Sequence, residues 1–153
     1  MQKIKIQDLS PDLVPGIEVQ MPAAVVPDRE NYFEWTISSL VAKMHTNEVS
    51  GGVLRTWRHA PIFQEIETHI ETEMFYFVSG VALLLFMDVK EGQPYLETAQ
   101  VVRIQPGTQI VISAGKGHFV PVVDGDETLE VIVVAPKMEA TRMPLPAVIE
   151  GIL

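Results

Sequence analysis

The chain has 153 residues, nearly half of them apolar and a fifth charged, a balance that suits one folded domain with a real core and excludes disorder. Its formal net charge of −9, with no basic run, argues against nucleic-acid binding, which needs clustered Lys and Arg. There is no cysteine, which removes disulfides, thiol nucleophiles and Cys-type zinc sites together and fits a reducing compartment.

Met1–Asp8 shows no long apolar region and no small-residue cleavage site, so no signal peptide is expected. Lys3–Ile6 alternates as a strand does, and a helical turn is expected over Asp28–Trp35. Thr36–Met44 and Gly52–Trp57 read as extended segments rich in β-branched or aromatic residues. Glu65–Ile70, Met74–Val78 and Val81–Asp88 follow as strands, the last two joined by a tight turn at Ser79-Gly80. The apolar run Val81–Met87 is too short to cross a bilayer, and its length and flanking turns favour a strand covered on both faces. Lys90–Pro94 reads as a longer loop, with Tyr95 in it as a residue able to cover a pocket. Then come Ala99–Ile104, a Pro106-Gly107 turn, Gln109–Ser113, His118–Val123, a turn at Asp124-Gly125-Asp126 and Leu129–Val134. A second helical turn is expected near Met138–Met143, before an apolar tail with Pro144 and Pro146 that docks on its own domain or on a partner subunit.

Many short strands at this spacing, with few helical turns and no internal repeat, predict a single all-β domain of sandwich or barrel type. Residues 1–35 supply N-terminal strands and a connection, and 136–153 the tail. A cytoplasmic protein without membrane contact is the expectation.

The chemistry concentrates in Glu67–Gly80. Residues two apart on a strand share a face, so Glu65, Glu67 and His69 point one way and Ile66, Thr68 and Ile70 the other. Glu73 shares a face with Phe75 and Phe77, where an uncompensated carboxylate is costly and a divalent cation would offset the cost. His118 follows in Gly115-Lys116-Gly117-His118. Together Glu67, His69, Glu73 and His118 form an N2O2 set suited to Mn, Fe, Co, Ni or Zn rather than Ca or Mg. The competing reading is a polar cavity or a solvated face. Glu67 and Glu73 are candidates for ligand or for acid/base, and Lys116 for a donor to an anionic substrate, against a surface Gly-Lys-Gly turn. Arg55, Trp57 and His59 share a strand face; if it is inward, Arg55 would clamp a substrate carboxylate and Trp57 would form pocket wall. His45 reads as a turn residue.

The Glu67-x-His69, Glu73 and Gly80 spacing resembles the first motif of the cupins, with Glu67 in place of its first His. Pro106-Gly107 and Ser113-Ala114-Gly115-Lys116-Gly117-His118 resemble the second, with Ser113 in place of Pro. The resemblance implies a cupin-type double-stranded β-helix, a jelly-roll barrel. Within the cupins, Gly52–Val123 looks most similar to the ureidoglycolate lyase family. That likeness implies a homodimer that cleaves ureidoglycolate to glyoxylate and urea. The second motif departs from that family at Ile112, Ser113, Gly117 and Phe119, and Glu73 stands where a neutral residue is expected. The alternatives are a cupin that binds a small acid or sugar without turnover, or a cupin enzyme of another kind.

Overall fold

The computed structural model describes residues 1–125 and 128–153; Asp126, part of the turn expected after Val123, lies outside them. Among the described residues fourteen strands follow in chain order: β1 Gln2–Asp8, β2 Ile17–Gln20, β3 Asp28–Arg29, β4 Glu34–Trp35, β5 Val49–Thr56, β6 Ile62–Thr68 and β7 Glu73–Ser79. The second half holds β8 Ala82–Lys90, β9 Gln93–Ile104, β10 Gln109–Ile112, β11 Gly117–His118, β12 Val122–Val123, β13 Leu129–Pro136 and β14 Thr141–Ile152. Among the described residues no helix is long and apolar enough to cross a membrane.

One sheet has the order β11-β6-β14-β1-β9-β8-β12, and β11 also pairs with β8, which closes six of its strands into a ring. The second sheet has the order β2-β10-β7-β13-β5. Between the sheets lies a core of Phe75, Phe77, Leu84, Phe86, Val102, Ile104, Ile110, Ile112, Leu129 and Val131. The ring holds another, built from Ile6, Phe63, Ile66, Leu85, Met87, Val101 and Ile149. β8 serves both: Ala82, Leu84 and Phe86 face the first, and Leu83, Leu85 and Met87 the second. The doubly covered strand expected over Val81–Met87 is therefore present, with every residue from Ala82 to Met87 buried.

Four expectations need correction. Asp28–Trp35 is a small antiparallel hairpin, β3 with β4, and not a helical turn. Thr36–Met44 forms no strand; it has no ladder partner, and its backbone at Ile37 and Ser39 is tied to the Gln20 side chain. Lys90–Pro94 is no long loop. Lys90 pairs with Gln93 across Glu91-Gly92, whose φ values of 50° and 73° are both in the left-handed region, the signature of a two-residue type I′ hairpin turn. Met138–Met143 is not helical but leads into β14, which pairs antiparallel with β6 and parallel with β1. The tail thus docks on its own domain as a ladder strand of the ring. Its prolines removed the expected strand signal, and the β6–β14 register does shift between Pro144 and Ile149, where Pro146 has no amide to give.

Candidate metal centre

The two motif segments meet because β11 sits between β6 and β8, with His118 opposite Glu67 on one side and Phe86 on the other. Two glycines make this approach feasible. Gly115, at φ +77°, turns the chain so that the Lys116 amide donates to the Ser113 carbonyl at 3.1 Å. At Gly117, a Cβ would come within 2.7 Å of Ile66 Cδ1 and 3.1 Å of the Met87 carbonyl oxygen, so any side chain there has to displace the end of Ile66 and crowd the β8 backbone. The Gly115 amide donates to the His69 carbonyl at 2.8 Å, which ties the end of the first motif to the turn of the second.

Glu67, His69, Glu73 and His118 converge where the two sheets meet. His118 is 2 % exposed and Glu73 7 %; Glu67 and His69 are half-buried. His118 Nε2 lies 2.9 Å from Glu73 Oε2, and His69 Nε2 lies 3.3 Å from the same oxygen. His69 Nε2 is 3.8 Å from Glu67 Oε1, an ion-pair contact too long for a hydrogen bond. One ligand atom each from Glu67, His69 and His118 lies within 4.8 Å of the others. Phe75 meets the His118 ring edge-on at 6.0 Å and forms an apolar wall.

The neighbours decide the protonation. His118 Nδ1 lies 3.0 Å from the Lys116 carbonyl oxygen, which can only accept, so Nδ1 carries the proton. Nε2 then faces a carboxylate oxygen, a contact that needs a proton or a cation between the two atoms. At His69, burial pushes the pKa down, but Glu67 and Glu73 outweigh it and hold the imidazole above its ordinary 6.5. The same His69 contact, against the opposing cost of burial, holds Glu67 below 4.5, with His118 and Arg142 assisting. His69 Nδ1 is buried and makes no well-formed hydrogen bond, although the Glu139 backbone also helps to hold the imidazole's pKa up.

The other expected residues fall differently. Lys116 is buried, not at the surface, and its ammonium donates to Asp88 Oδ1 at 2.7 Å; its contribution to the cluster is the backbone carbonyl that holds His118. Arg55 does not face inward: the β5–β13 register points Leu54 and Thr56 toward the core, and Arg55 Nε pairs with Glu130 Oε2 at 2.6 Å. Trp57 and His59 are exposed, and with Arg55 they line a cavity at the end of β5 that none of the four cluster residues lines. Tyr95 stands on β9 beside the hairpin turn, its hydroxyl donating to Glu97 at 2.7 Å and its ring under the Lys90 ammonium, so it covers no pocket there. His45 contacts Glu71 Oε2 at 3.1 Å through both its amide and Nδ1, which anchors the 36–48 segment to the loop between β6 and β7.

One residue at the cluster escaped the sequence reading. Arg142, opposite Glu67 in the β6–β14 register, places Nε 3.4 Å from Glu67 Oε2 and its guanidinium 5.1 Å from the centre of the Phe119 ring. The signal was an alternation, Arg142, Pro144 and Pro146 exposed and Met143 and Leu145 partly buried, that the expected helical turn obscured.

Against known proteins, no family model and no curated sequence matches. Solved structures do. RmlC from Streptococcus suis, determined with dTDP-D-xylose, superposes with a TM-score of 0.52 at 11 % identity, covering 87 % of this chain and 70 % of that one. The fold is a cupin fold. A variant of Bacillus subtilis oxalate decarboxylase matches over 64 % of this chain and 24 % of its own, at 17 % identity and a TM-score of 0.47, so this chain spans about a quarter of that protein. The 11S globulin of Wrightia tinctoria matches over 61 % of this chain and 22 % of its own, at 13 % identity and a TM-score of 0.45. As a cupin barrel, the chain brings a His/Glu set of metal-ligating type to the junction of its two sheets. The identities are low enough that these likenesses speak to the fold alone.

Proposed function

We propose that this cupin holds one divalent transition-metal ion on Glu67, His69, Glu73 and His118 and acts there on a small hydroxy acid. The carrying observation is the pair of imidazole Nε2 atoms aimed at one oxygen of the buried Glu73, with the His118 tautomer set by the Lys116 carbonyl. A backbone carbonyl on the far nitrogen is how metal-ligating histidines are oriented. Two imidazoles and two carboxylates suit Mn, Fe, Co, Ni or Zn. Such an ion, when bound, supplies Lewis acidity toward a substrate oxygen.

The chain's own residues divide the remaining work. Arg142, more exposed than the cluster it borders, meets a substrate carboxylate. Phe75 keeps the imidazole side dry. Without metal, Glu67 or Glu73 serves, instead of as a ligand, as the base that takes the hydroxyl proton; with ureidoglycolate, that loss drives cleavage of the C–N bond to glyoxylate and urea, and the departing nitrogen takes up a proton. Lys116 has no part in this chemistry beyond its carbonyl, because its ammonium is held by Asp88.

Binding without turnover is the second reading. It is favoured by the engagement of both carboxylates, Glu73 by two imidazoles and Glu67 by Arg142. The test is to load the purified protein with Mn or Zn, add ureidoglycolate and measure glyoxylate with and without chelator. Formation above the spontaneous rate that the chelator abolishes supports the lyase. No excess rate in either condition removes that activity, and ureidoglycolate or another hydroxy acid perturbing a bound Co(II) spectrum would then identify a binding protein.

A further inference from the structure

We propose that a second copy of this chain covers the outer face of the second sheet, in an exchange that lays the arm formed by residues 26–41 of each copy on the sheet of the other. This goes beyond the proposed metal chemistry and does not depend on it.

The arm is the donor. Every residue from 28 to 37 is exposed, Tyr32 at 90 %, Trp35 at 61 %, Phe33 and Ile37 among them. Large apolar side chains gathered in one exposed stretch mark a contact surface. Among the described residues β3 and β4 pair only with each other. An isolated two-stranded hairpin is marginal in water and gains from a surface to pack on. The chain is tied down only after the hairpin, by the Gln20 side chain at Ile37 and Ser39 and by Glu71 at His45. Over this stretch exposure alternates: Ser38, Leu40, Ala42 and Met44 are partly buried, while Ile37 and Val41 are exposed. One side of the segment rests on its own domain, and the other presents apolar groups outward.

The second sheet is the acceptor. Phe75, Phe77, Leu129 and Val131 face the core, so Tyr76, Val78 and Ile132 face out. The register sets Ile132 opposite Tyr76 on β7 and opposite Val53 on β5, an apolar row across three strands in which each member is 40 % exposed or more. β5 ends this sheet, and Val49 adds to the face beside Val53. The chain's own arm does not close over the row. A cleft of about 430 Å³ stands open between Tyr76 and the root of the arm at residues 21–25.

Area selects the occupant. With 150–250 Å² for a whole aromatic side chain and somewhat less for an aliphatic one, the exposed fractions leave roughly 700 Å² of apolar surface on the arm and roughly 400 Å² on the sheet face. A stable complex buries about 800 Å² on each partner, which arm and face together supply and neither supplies alone. Both surfaces belong to one chain, so two copies related by a twofold axis make the contact twice and cover both surfaces on each copy.

The chain has no cysteine, so single cysteines introduced as Tyr32→Cys in one preparation and Ile132→Cys in another bridge only between chains. Sedimentation equilibrium of the parent protein in chelator, at tens of micromolar, is expected to show twice the chain mass. Ile132→Lys, and separately Tyr32→Ala combined with Trp35→Ala, each weaken self-association at least about tenfold. Both retain a cooperative melt, because these side chains are exposed in a single copy. Mixing the two single-cysteine chains under oxidation gives the mixed crosslinked dimer as the main product. Trp57→Phe leaves Trp35 as the sole indole, whose emission shifts to the red and becomes open to acrylamide as dilution separates the copies. A chain that stays monomeric at tens of micromolar overturns the proposal and leaves a foreign protein as the cover of the arm. A dimer that yields no mixed crosslink, or whose Trp35 is quenched as freely as in the monomer, overturns it as well.

Discussion

Glu73 and His118 depend on one another. The Glu73 carboxylate beside Phe75 and the His118 imidazole, whose Nδ1 proton is committed to the Lys116 carbonyl, need a cation or a proton between them. Glu73→Gln keeps a hydrogen-bonding group beside His118 but removes the charge that helps to hold the His69 pKa up, so it lowers the stability of the metal-free fold by less than His118→Ala does, while metal affinity falls by about a hundredfold or more. His118→Ala leaves the buried Glu73 with His69 alone and costs roughly 2 kcal/mol in urea unfolding. Equal stability losses for the two variants would contradict this tautomer. The pH response belongs to the same residues. The raised His69 pKa contributes stability that is complete below 6.5 and lost as pH climbs through the raised value. The lowered Glu67 pKa contributes above 4.5 and is lost as pH falls through the lowered value. Melting curves in chelator therefore show the cluster's contribution fullest between 4.5 and 6.5 and declining on the alkaline side. Metal reverses the alkaline decline, because it replaces the proton. A chelated protein that gains stability above that window would contradict the His69 assignment.

At the scale of elements, the site depends on how tightly β11 is inserted between β6 and β8. Gly117→Ala sets a methyl against Ile66 and the Met87 carbonyl and should destabilise by about 1–3 kcal/mol and weaken metal binding, because His118 moves with the strand. Gly115→Ala meets nothing within 4 Å and carries only the cost of its positive φ, about 1 kcal/mol. Denaturant titration of both variants checks the order. These elements also show what was legible in the chain. The parity that joined Glu67 with His69, and the apolar neighbours that singled out Glu73, are local properties of a strand, and the structure brings these three side chains together. The outward direction of Arg55 was not legible, because the face of β5 is set by its register with β13, a long-range pairing. Tyr95 was misplaced because Glu91 adopts a left-handed conformation that non-glycine residues seldom take, so a two-residue turn read as a loop.

For the molecule as a whole, the ring closes through two strands that the sequence disguised. β11 is two residues long, and β14 carries prolines, yet together they flank β6 and complete the circuit from β8 back to β8. Deleting Thr141–Leu153 opens the ring between β6 and β1 and removes Ile149 from its core, so the truncated chain should lose the cooperative melt and the dispersed amide spectrum of the full protein. A truncated chain that still melts cooperatively would show that the second sheet stabilises the fold without the ring. The closed architecture is what lets a largely apolar barrel hold two imidazoles and two carboxylates at its sheet junction. The most direct test of that centre is a Co(II) titration of the metal-free protein, followed by its d–d absorption and by proton release. One equivalent bound by the parent protein, with protons released on binding and a loss of about a hundredfold or more in affinity for His69→Ala and His118→Ala, is the expected result. Binding that is absent, or that persists unchanged in both variants, would contradict a metal centre on Glu67, His69, Glu73 and His118.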